Sequence, residues 1–324
     1  MKERLLDILE ANPGSYVSGA SLRSEMGITR SAIWKWMEQL REDGYVIDAV
    51  PSRGYQLVKK PDRLYPWEVR RGLETQIIGR DFCYEPILDS TNKKCKELAR
   101  NNGLEGLVVL CEEQTAGRGR RGKSWVSPAH AGIYCSVLLR PQIPLQWVPQ
   151  ISLMTAVALQ EVIEGSTIKW PNDLLIDGRK CCGILVEVDA EPDLVKAVIV
   201  GFGINVNVDR SQLPPEVQET ATSLLISLEK RTDRVELLQR VLSSLEHTYE
   251  HFLRDGFAPV LAQCKEKCST LGQDVVVQNP RGELVGRAID IAEDGALVVQ
   301  EPGGNLVPVY AGEVSVRTRT SRSC

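Results

Sequence analysis

The nine residues Gly117–Trp125, GRGRRGKSW, restrict the fold more sharply than any other stretch of the chain. Gly117, Gly119 and Gly122 match the G-x-G-x-x-G dinucleotide pattern, while Gly117 to Ser124 matches the G-x-x-x-x-G-K-S phosphate loop. Both patterns need a strand directly before the first glycine and a helix directly after, because the helix N-terminus turns its amides toward the phosphate. Here the polar segment EEQTA separates the loop from the apolar run before it. After Trp125 come Val126-Ser127-Pro128 and His130-Ala131-Gly132, then the strand-like GIYCSVLL. Pro128 and Gly132 leave no room for a helix. Neither architecture fits. What remains is a mobile glycine-rich loop carrying Arg118, Arg120, Arg121 and Lys123, suited to close approach of an anion such as phosphate or carboxylate.

Around this loop the chain changes texture twice, and the whole is read as an α+β multidomain protein. Residues 1–64 predict a winged helix-turn-helix. KERLLDILEAN has helical apolar spacing, Ser18 can cap a helix that stops at Gly27, and Thr29 can cap the next, which closes at Gly44. YVIDAVPSRGYQLV then reads as two short strands around Pro51–Gly54, a wing. Ile33, Met37 and Leu40 form the expected buried stripe, which leaves Trp34 or Trp36 partly outward. Residues 1–60 hold nine basic and eight acidic side chains, so charge alone argues weakly for nucleic acid. Placement argues more strongly: Thr29, Arg30, Ser31 and Lys35 fall on the first turns of the helix that meets base edges, and Arg53 at the wing tip suits a phosphate contact.

Residues 65–270 alternate helices with apolar strands and predict a mixed α/β domain. VPQISLMTAVALQEVIEG reads as an amphipathic helix, IKWPNDLLIDGRKCCGILVEVD as a strand hairpin, and a long helix runs from about Asp233 to Arg254. Residues 271–324 break into short β segments at the spacing of a small barrel.

Composition removes several classes of function. The net charge of −4 gives no global basic field, no run approaches the roughly 20 apolar residues of a membrane span, and MKERLLDILE has no signal-peptide core. A cytoplasmic location with no membrane partner is expected. Nine cysteines with no CxxC pair and only three histidines do not make a structural zinc site, and are expected to be reduced core thiols. No Ser-His-Asp or Cys-His arrangement stands out for nucleophilic catalysis.

GRGRRGKSW resembles the signature loop of the biotin protein ligases, and three more stretches match that family in order: DSTN (Asp89–Asn92), KWPNDL with GRKCCGILVE (Lys169–Glu187), and GFGINVN (Gly201–Asn207). With the winged helix in front and the small β segments behind, the resemblance covers the full chain and extends to the bifunctional bacterial members, the BirA family, which are both ligase and repressor of the biotin operon. It implies a class II synthetase-like central domain and an SH3-like C-terminal barrel. It also implies a two-step reaction: the biotin carboxylate attacks the α-phosphate of ATP, giving biotinyl-5'-AMP and pyrophosphate. A lysine amine of the biotin carboxyl carrier protein of acetyl-CoA carboxylase then attacks that mixed anhydride.

The resemblance further implies biotin contacts from Ser90, Thr91, Asn92, Gln114, Gly119 and Gly203, and Arg118 with Arg120 as holders of the carboxylate and then the phosphate. Lys180 is the principal catalytic candidate. Arg121, Trp125, Asn172 and Asn205 are expected on the nucleotide side, and Asn172 and Asp173 as oxygen donors to Mg²⁺. The implied partners are the carrier protein, biotin operator DNA, and a second copy of the chain once the adenylate is bound. Cys181-Cys182 departs from the family's aliphatic or small residues; cysteine behaves as a small hydrophobe, so the ligase chemistry is expected to survive, with oxidation of a thiol beside a cationic lysine as the lesser alternative. A lipoate ligase, a ligand-sensing regulator without catalysis, and a ligase whose winged helix does not bind DNA remain as alternatives.

Overall fold

The computed structural model describes residues 1–191, 194–279, 282–310 and 312–316. Pro280 and Arg281, Arg317 and Cys324, all within the run read from sequence as short β segments, lie outside the described residues. The chain divides into two compact units, Met1–Arg63 and Leu64–Cys324.

The first unit packs α1 (Lys2–Glu10), α2 (Gly19–Met26) and α3 (Arg30–Glu42) beside a hairpin of β1 (Val46–Val50) and β2 (Gly54–Lys59). The predicted caps are present. Ser18 Oγ accepts from the Ser21 amide at 3.0 Å, Thr29 Oγ1 accepts from the Ala32 amide at 3.3 Å, and Gly27 takes the left-handed conformation (φ 67°) that ends α2. Ile33, Met37 and Leu40 are buried, as their spacing requires, while Trp34 stays 59% exposed.

The second unit is built on a seven-stranded sheet. Its strands are β3 (Phe82–Leu88), β4 (Val108–Gln114), β5 (Ile133–Leu139), β6 (Thr167–Lys169), β7 (Asp173–Ile176), β8 (Arg179–Glu191) and β9 (Leu194–Ile204), in the order β3-β4-β5-β9-β8-β7-β6. Only the β3–β4 pair is parallel. The crossover between those two strands is α5 (Thr91–Arg100), which lies on one face over β4, β5 and β9. Short α4 (Pro66–Arg71) and α7 (Leu224–Leu228) flank the unit. The other face is covered by α6 (Val148–Val162), with α8 (Arg234–Asp255) and α9 (Ala258–Lys267) beyond it.

That layering corrects one expectation. The predicted amphipathic helix α6 has ten of its 15 residues buried, because it lies between the sheet and α8/α9 rather than at the surface.

The last strands, β10 (Asp274–Asn279), β11 (Gly282–Ile291), β12 (Leu297–Gln300), β13 (Leu306–Val309) and β14 (Glu313–Val316), form an antiparallel sheet in the order β13-β12-β11-β10-β14. Among the described residues no ladder joins β13 to β14, so the element seen is an open five-stranded sheet rather than a closed barrel. It shares one continuous core with the larger sheet, including Val275, Val277, Leu297 and Val299. Among the described residues no helix is long and apolar enough to cross a membrane.

The described cysteines are all free thiols, seven of them buried. Burial pushes the Cys181 thiol up to about 12 and raises Cys182 well above its ordinary value. Both thiols are fully buried and held protonated, as small hydrophobes are, and this disfavours oxidation at Cys181-Cys182.

Candidate active site

A cleft opens over the sheet where β8 and β9 run side by side. Its floor is built on three glycines, which lack side chains: Gly183 pairs with Gly203, and Gly201 lies opposite Leu185. A Cβ at Gly201 would overlap the Asn92 amide oxygen, and one at Gly203 would overlap the Trp125 indole. A Cβ at Gly183 would lie 2.9 Å from Trp125 Cζ3. The glycines therefore let α5 and the arginine loop descend onto the strands. Ser90, Thr91, Asn92, Gln114, Arg118, Gly119, Arg120, Trp125, Asn172, Lys180 and Gly203, all singled out by sequence, line this one cleft.

At one end sits the start of α5. Ser90 is its N-cap residue, yet its side chain makes no capping bond; the backbone is extended (φ −161°) and the hydroxyl is left for the cleft. The Thr91 amide donates to Gln114 Oε1 at 2.9 Å, and Gln114 Nε2 donates to Ser127 Oγ at 2.9 Å. Asn92 is engaged throughout: Nδ2 donates to Leu185 O at 3.1 Å and Glu187 Oε2 at 2.9 Å, and Oδ1 accepts from Ser136 Oγ at 2.6 Å.

The arginine loop is a tight hairpin. The Gly119 amide donates to Lys123 O at 2.7 Å and the Trp125 amide to Gly117 O at 2.9 Å, with Arg121 (φ 57°) and Gly122 (φ 76°) turning the tip. No helix follows it, in line with the sequence argument. Arg120 Nη1 donates to Asn172 Oδ1 at 3.0 Å, which ties the loop to the β6–β7 turn. Arg118 lies exposed at the rim. Arg121 points out of the cleft instead, donating to Gln278 O on β10 at 2.9 Å. Trp125 is tucked inside, its indole Nε1 buried without a hydrogen-bond partner.

At the other end Lys180 Nζ lies 2.7 Å from Asp173 Oδ1 and 5.2 Å from the centre of the Trp125 ring. Its backbone is held on both sides, by Thr220 O at 2.8 Å and the Thr222 amide at 2.8 Å. Asp173 Oδ1 is in ion-pair contact with Lys180 but lacks a properly directed hydrogen bond. Three cations, Arg118, Arg120 and Lys180, line the cleft, and among the described residues no carboxylate lines it, an imbalance suited to receiving anions. Burial lowers the Arg120 guanidinium from its ordinary value, Asp173 opposes the change and Arg121 adds to it; a guanidinium stays charged throughout.

For a metal, Asn172 offers an oxygen already bonded to Arg120, and Asp173 one already paired with Lys180. Among the described residues no group of three His, Cys, Asp or Glu side chains could hold an ion. Such a donor set fits Mg²⁺ only in the company of nucleotide phosphates, the way this ion is ordinarily carried. Asn205 does not reach the cleft. It is buried at the end of β9, donating through Nδ2 to Thr222 O at 3.0 Å.

Sequence reasoning missed Gly183, and also Ser136 and Glu187, which stand behind the cleft and hold Asn92. Ser136 lies in an apolar strand run, and only its register opposite Gly201 places it under α5.

The first unit carries a second candidate surface. Arg30, Ser31 and Lys35 are exposed on the first turns of α3, and Trp34 projects among them. Thr29 is occupied as the cap and lies 3.0 Å from the Ser31 hydroxyl. At the wing, the Arg53 guanidinium stacks 4.1 Å from the centre of the Tyr16 ring, and Tyr16 donates to Asp48 at 2.5 Å.

Comparison with known proteins agrees with this geometry. The biotin/lipoate A/B protein ligase family model matches residues 84–205, the biotin protein ligase C-terminal domain matches residues 270–317, and an HTH domain matches residues 2–56. The chain is 36% identical over 321 residues to the bifunctional ligase/repressor BirA of Bacillus spizizenii, covering 98% of each chain. It is also 36% identical to that of Bacillus subtilis (strain 168), again over 98% of each. Among solved structures, the biotin protein ligase from Aquifex aeolicus in complex with biotin and ATP is 30% identical. It superposes with a TM-score of 0.63 over 74% of this chain and 99% of that one.

Proposed function

We propose, from the premise that the chain belongs to the biotin/lipoate A/B protein ligase family, that it works as a bifunctional ligase and repressor. As a ligase it joins biotin and ATP into biotinyl-5'-AMP with release of pyrophosphate, and then passes biotin to a lysine amine. The acceptor in this reading is the biotin carboxyl carrier protein of acetyl-CoA carboxylase. The observation that carries the reading is convergence: Ser90–Asn92, Gln114, the arginine loop and Lys180 come from separate strands and loops and meet over one glycine floor. The polar end of the cleft favours biotin over lipoate, because Ser90, Thr91 and Gln114 suit a cyclic urea, whereas a dithiolane ring has no hydrogen-bonding groups to offer them.

No protein nucleophile is required. The work is to bring a carboxylate and a triphosphate together and to offset the charge that develops at phosphorus. Arg118 and Arg120 hold the carboxylate and then the phosphate, and Lys180 serves both. Trp125 lies over the floor glycines as an apolar wall for the ligand. When bound with the nucleotide, Mg²⁺ would screen the phosphates, with Asn172 and Asp173 as the nearest oxygen donors. Arg121 and Asn205 act as braces in this scheme, one to β10 and one to the Ala221–Leu224 segment.

Residues 1–64 form the operator-binding domain, 65–270 the catalytic domain and 271–324 an SH3-like barrel. The last point has a geometric basis. β13 ends at Val309 and β14 begins at Glu313, although the two strands lie at opposite edges of the sheet. Three intervening residues span roughly 15 Å at most, whereas a flat five-stranded sheet would hold its edges about 19 Å apart, which supports a curved sheet of the barrel kind. A cytoplasmic site of action and a dimer formed on the adenylate, placing two winged helices on a palindromic operator, complete the proposal.

A gel mobility shift on biotin operator DNA, with ATP and with or without biotin, run beside biotinylation of carrier protein, tests both halves. A shift that needs biotin and ATP together is expected. Biotinylation with no shift would leave a ligase alone. Within that assay, Arg30→Ala and Lys35→Ala should each weaken operator binding. Their salt dependence then separates phosphate contact from base contact, since loss of one phosphate contact lowers the log–log salt slope by about one.

A further inference from the structure

The hydrogen bonds beneath the start of α5 can be assigned a direction, and that direction reaches the cleft. Glu187 Oε2 and Leu185 O can only accept, so they draw the two amide hydrogens of Asn92 and leave Asn92 Oδ1 as an acceptor. Ser136 Oγ, fully buried and 2.6 Å away, must therefore donate its single proton to Asn92. Ser136 also lies 2.8 Å from Thr91 Oγ1, and with its own proton spent it must accept there. Thr91 has a competing acceptor in Gln114 Oε1, but at 3.3 Å, and that oxygen already receives the Thr91 amide at 2.9 Å. The shorter contact takes the proton. The Thr91 hydroxyl is then left with lone pairs alone to present to the cleft it lines.

We propose that Glu187 and Ser136, through Asn92, are positioning residues that fix Thr91 as an obligate acceptor, so that this end of the cleft selects a ring N–H on its ligand. The inference rests on the biotin reading and deepens it, since the cyclic urea of biotin carries two such groups. Glu187 and Ser136 touch no ligand themselves. Their effect is on which polarity of partner Thr91 will tolerate.

The test uses the full-length protein, biotin, and two cyclic carbamate analogues in which one or the other ring N–H is replaced by oxygen. Calorimetric titration gives the Kd of each for the wild type and for Ser136→Ala. For the wild type, one carbamate should bind at least about tenfold more weakly than biotin, since its ring oxygen faces lone pairs. In Ser136→Ala the Thr91 proton loses its nearer acceptor and keeps only the longer one, Gln114 Oε1 at 3.3 Å, so that it can turn to the ring oxygen. Biotin should then weaken about tenfold, while the carbamate penalty falls to within about threefold. A general loss of packing would weaken all three ligands alike and leave the ratio unchanged, which would overturn the proposal. Equal binding of biotin and both carbamates to the wild type would overturn it without any variant, so the outcome does not depend on Ser136→Ala folding. If biotin itself fails to bind the wild type, the ligase reading falls and takes this inference with it.

Discussion

Replacing Lys180 with glutamine is expected to slow formation of biotinyl-5'-AMP by about 10²–10³-fold, the usual cost of losing one well-placed donor to charge that develops in a transition state. The side chain is half-buried beside Asp173 and Trp125, where a compact ammonium can face both a carboxylate and a phosphate. Its backbone is held by Thr220 and Thr222 whatever the side chain, so the fold should survive the change. The KM for biotin should shift only a few-fold, because the polar contacts of its ring are supplied by the opposite end of the cleft. Lys180→Arg should not restore the rate, since a planar fork does not fill the place of a point charge. Single-turnover adenylation, read as pyrophosphate release, decides the matter: a Lys180→Gln rate within threefold of wild type would remove this residue from the chemistry.

The second large effect concerns stability. Glu112 and Arg234 form an ion pair at 2.9 Å with side chains 1% and 0% exposed, among the most enclosed charges of the second unit. Arg234 also donates to Gly132 O at 2.9 Å, and Glu112 accepts from the Leu64 amide at 2.8 Å and contacts His130 Nδ1 at 3.1 Å. Arg234→Met would strand the carboxylate in the interior and should cost about 3–5 kcal/mol, a fall of roughly 10 °C in Tm for a unit of this size. Adding Glu112→Gln removes the stranded charge and should recover part of the loss, which calorimetry of the two variants would show. Equal Tm for wild type and Arg234→Met would refute the argument.

The same pair sets a pH dependence. Burial alone would raise the Glu112 carboxyl. The Arg234 charge, with hydrogen bonds from the Leu64 amide, Arg234 and His130, brings it below its ordinary value. The unfolded chain therefore takes up this proton at higher pH than the folded chain does. The contribution of Glu112 is fully present above the ordinary carboxylate range and is lost as pH falls through its folded value. Acid melting curves should show Arg234→Met losing less stability between neutral pH and pH 3 than the wild type does.

Much of the candidate site was legible before any coordinates, and the reason is physical. A cap such as Thr29, a left-handed stop such as Gly27, and a loop that no helix can follow are decided by residues within a few positions of one another. Arg118 was legible as part of a basic, glycine-rich loop, whereas Ser90, Gln114 and Lys180 were named through the resemblance to the biotin protein ligases, whose motifs are short local stretches. Helical spacing left Trp34 or Trp36 outward, and the structure exposes Trp34.

What lay outside such reach was every feature carried by pairing across the chain. Glu112 and Arg234 are 122 positions apart, and nothing near either marks its partner. Ser136 sits in an apolar run, and the β5–β9 register alone brings it beneath Asn92. Arg121 and Asn205 carry suitable chemistry but are spent elsewhere, because a hairpin tip and a strand end chose their directions. The burial of α6 followed from two layers closing over it. Local propensity and turn chemistry thus settled which elements form and which residues could bind an anion. Sheet register and layer packing, which act between distant segments, decided which of those residues meet and which polarity they show one another.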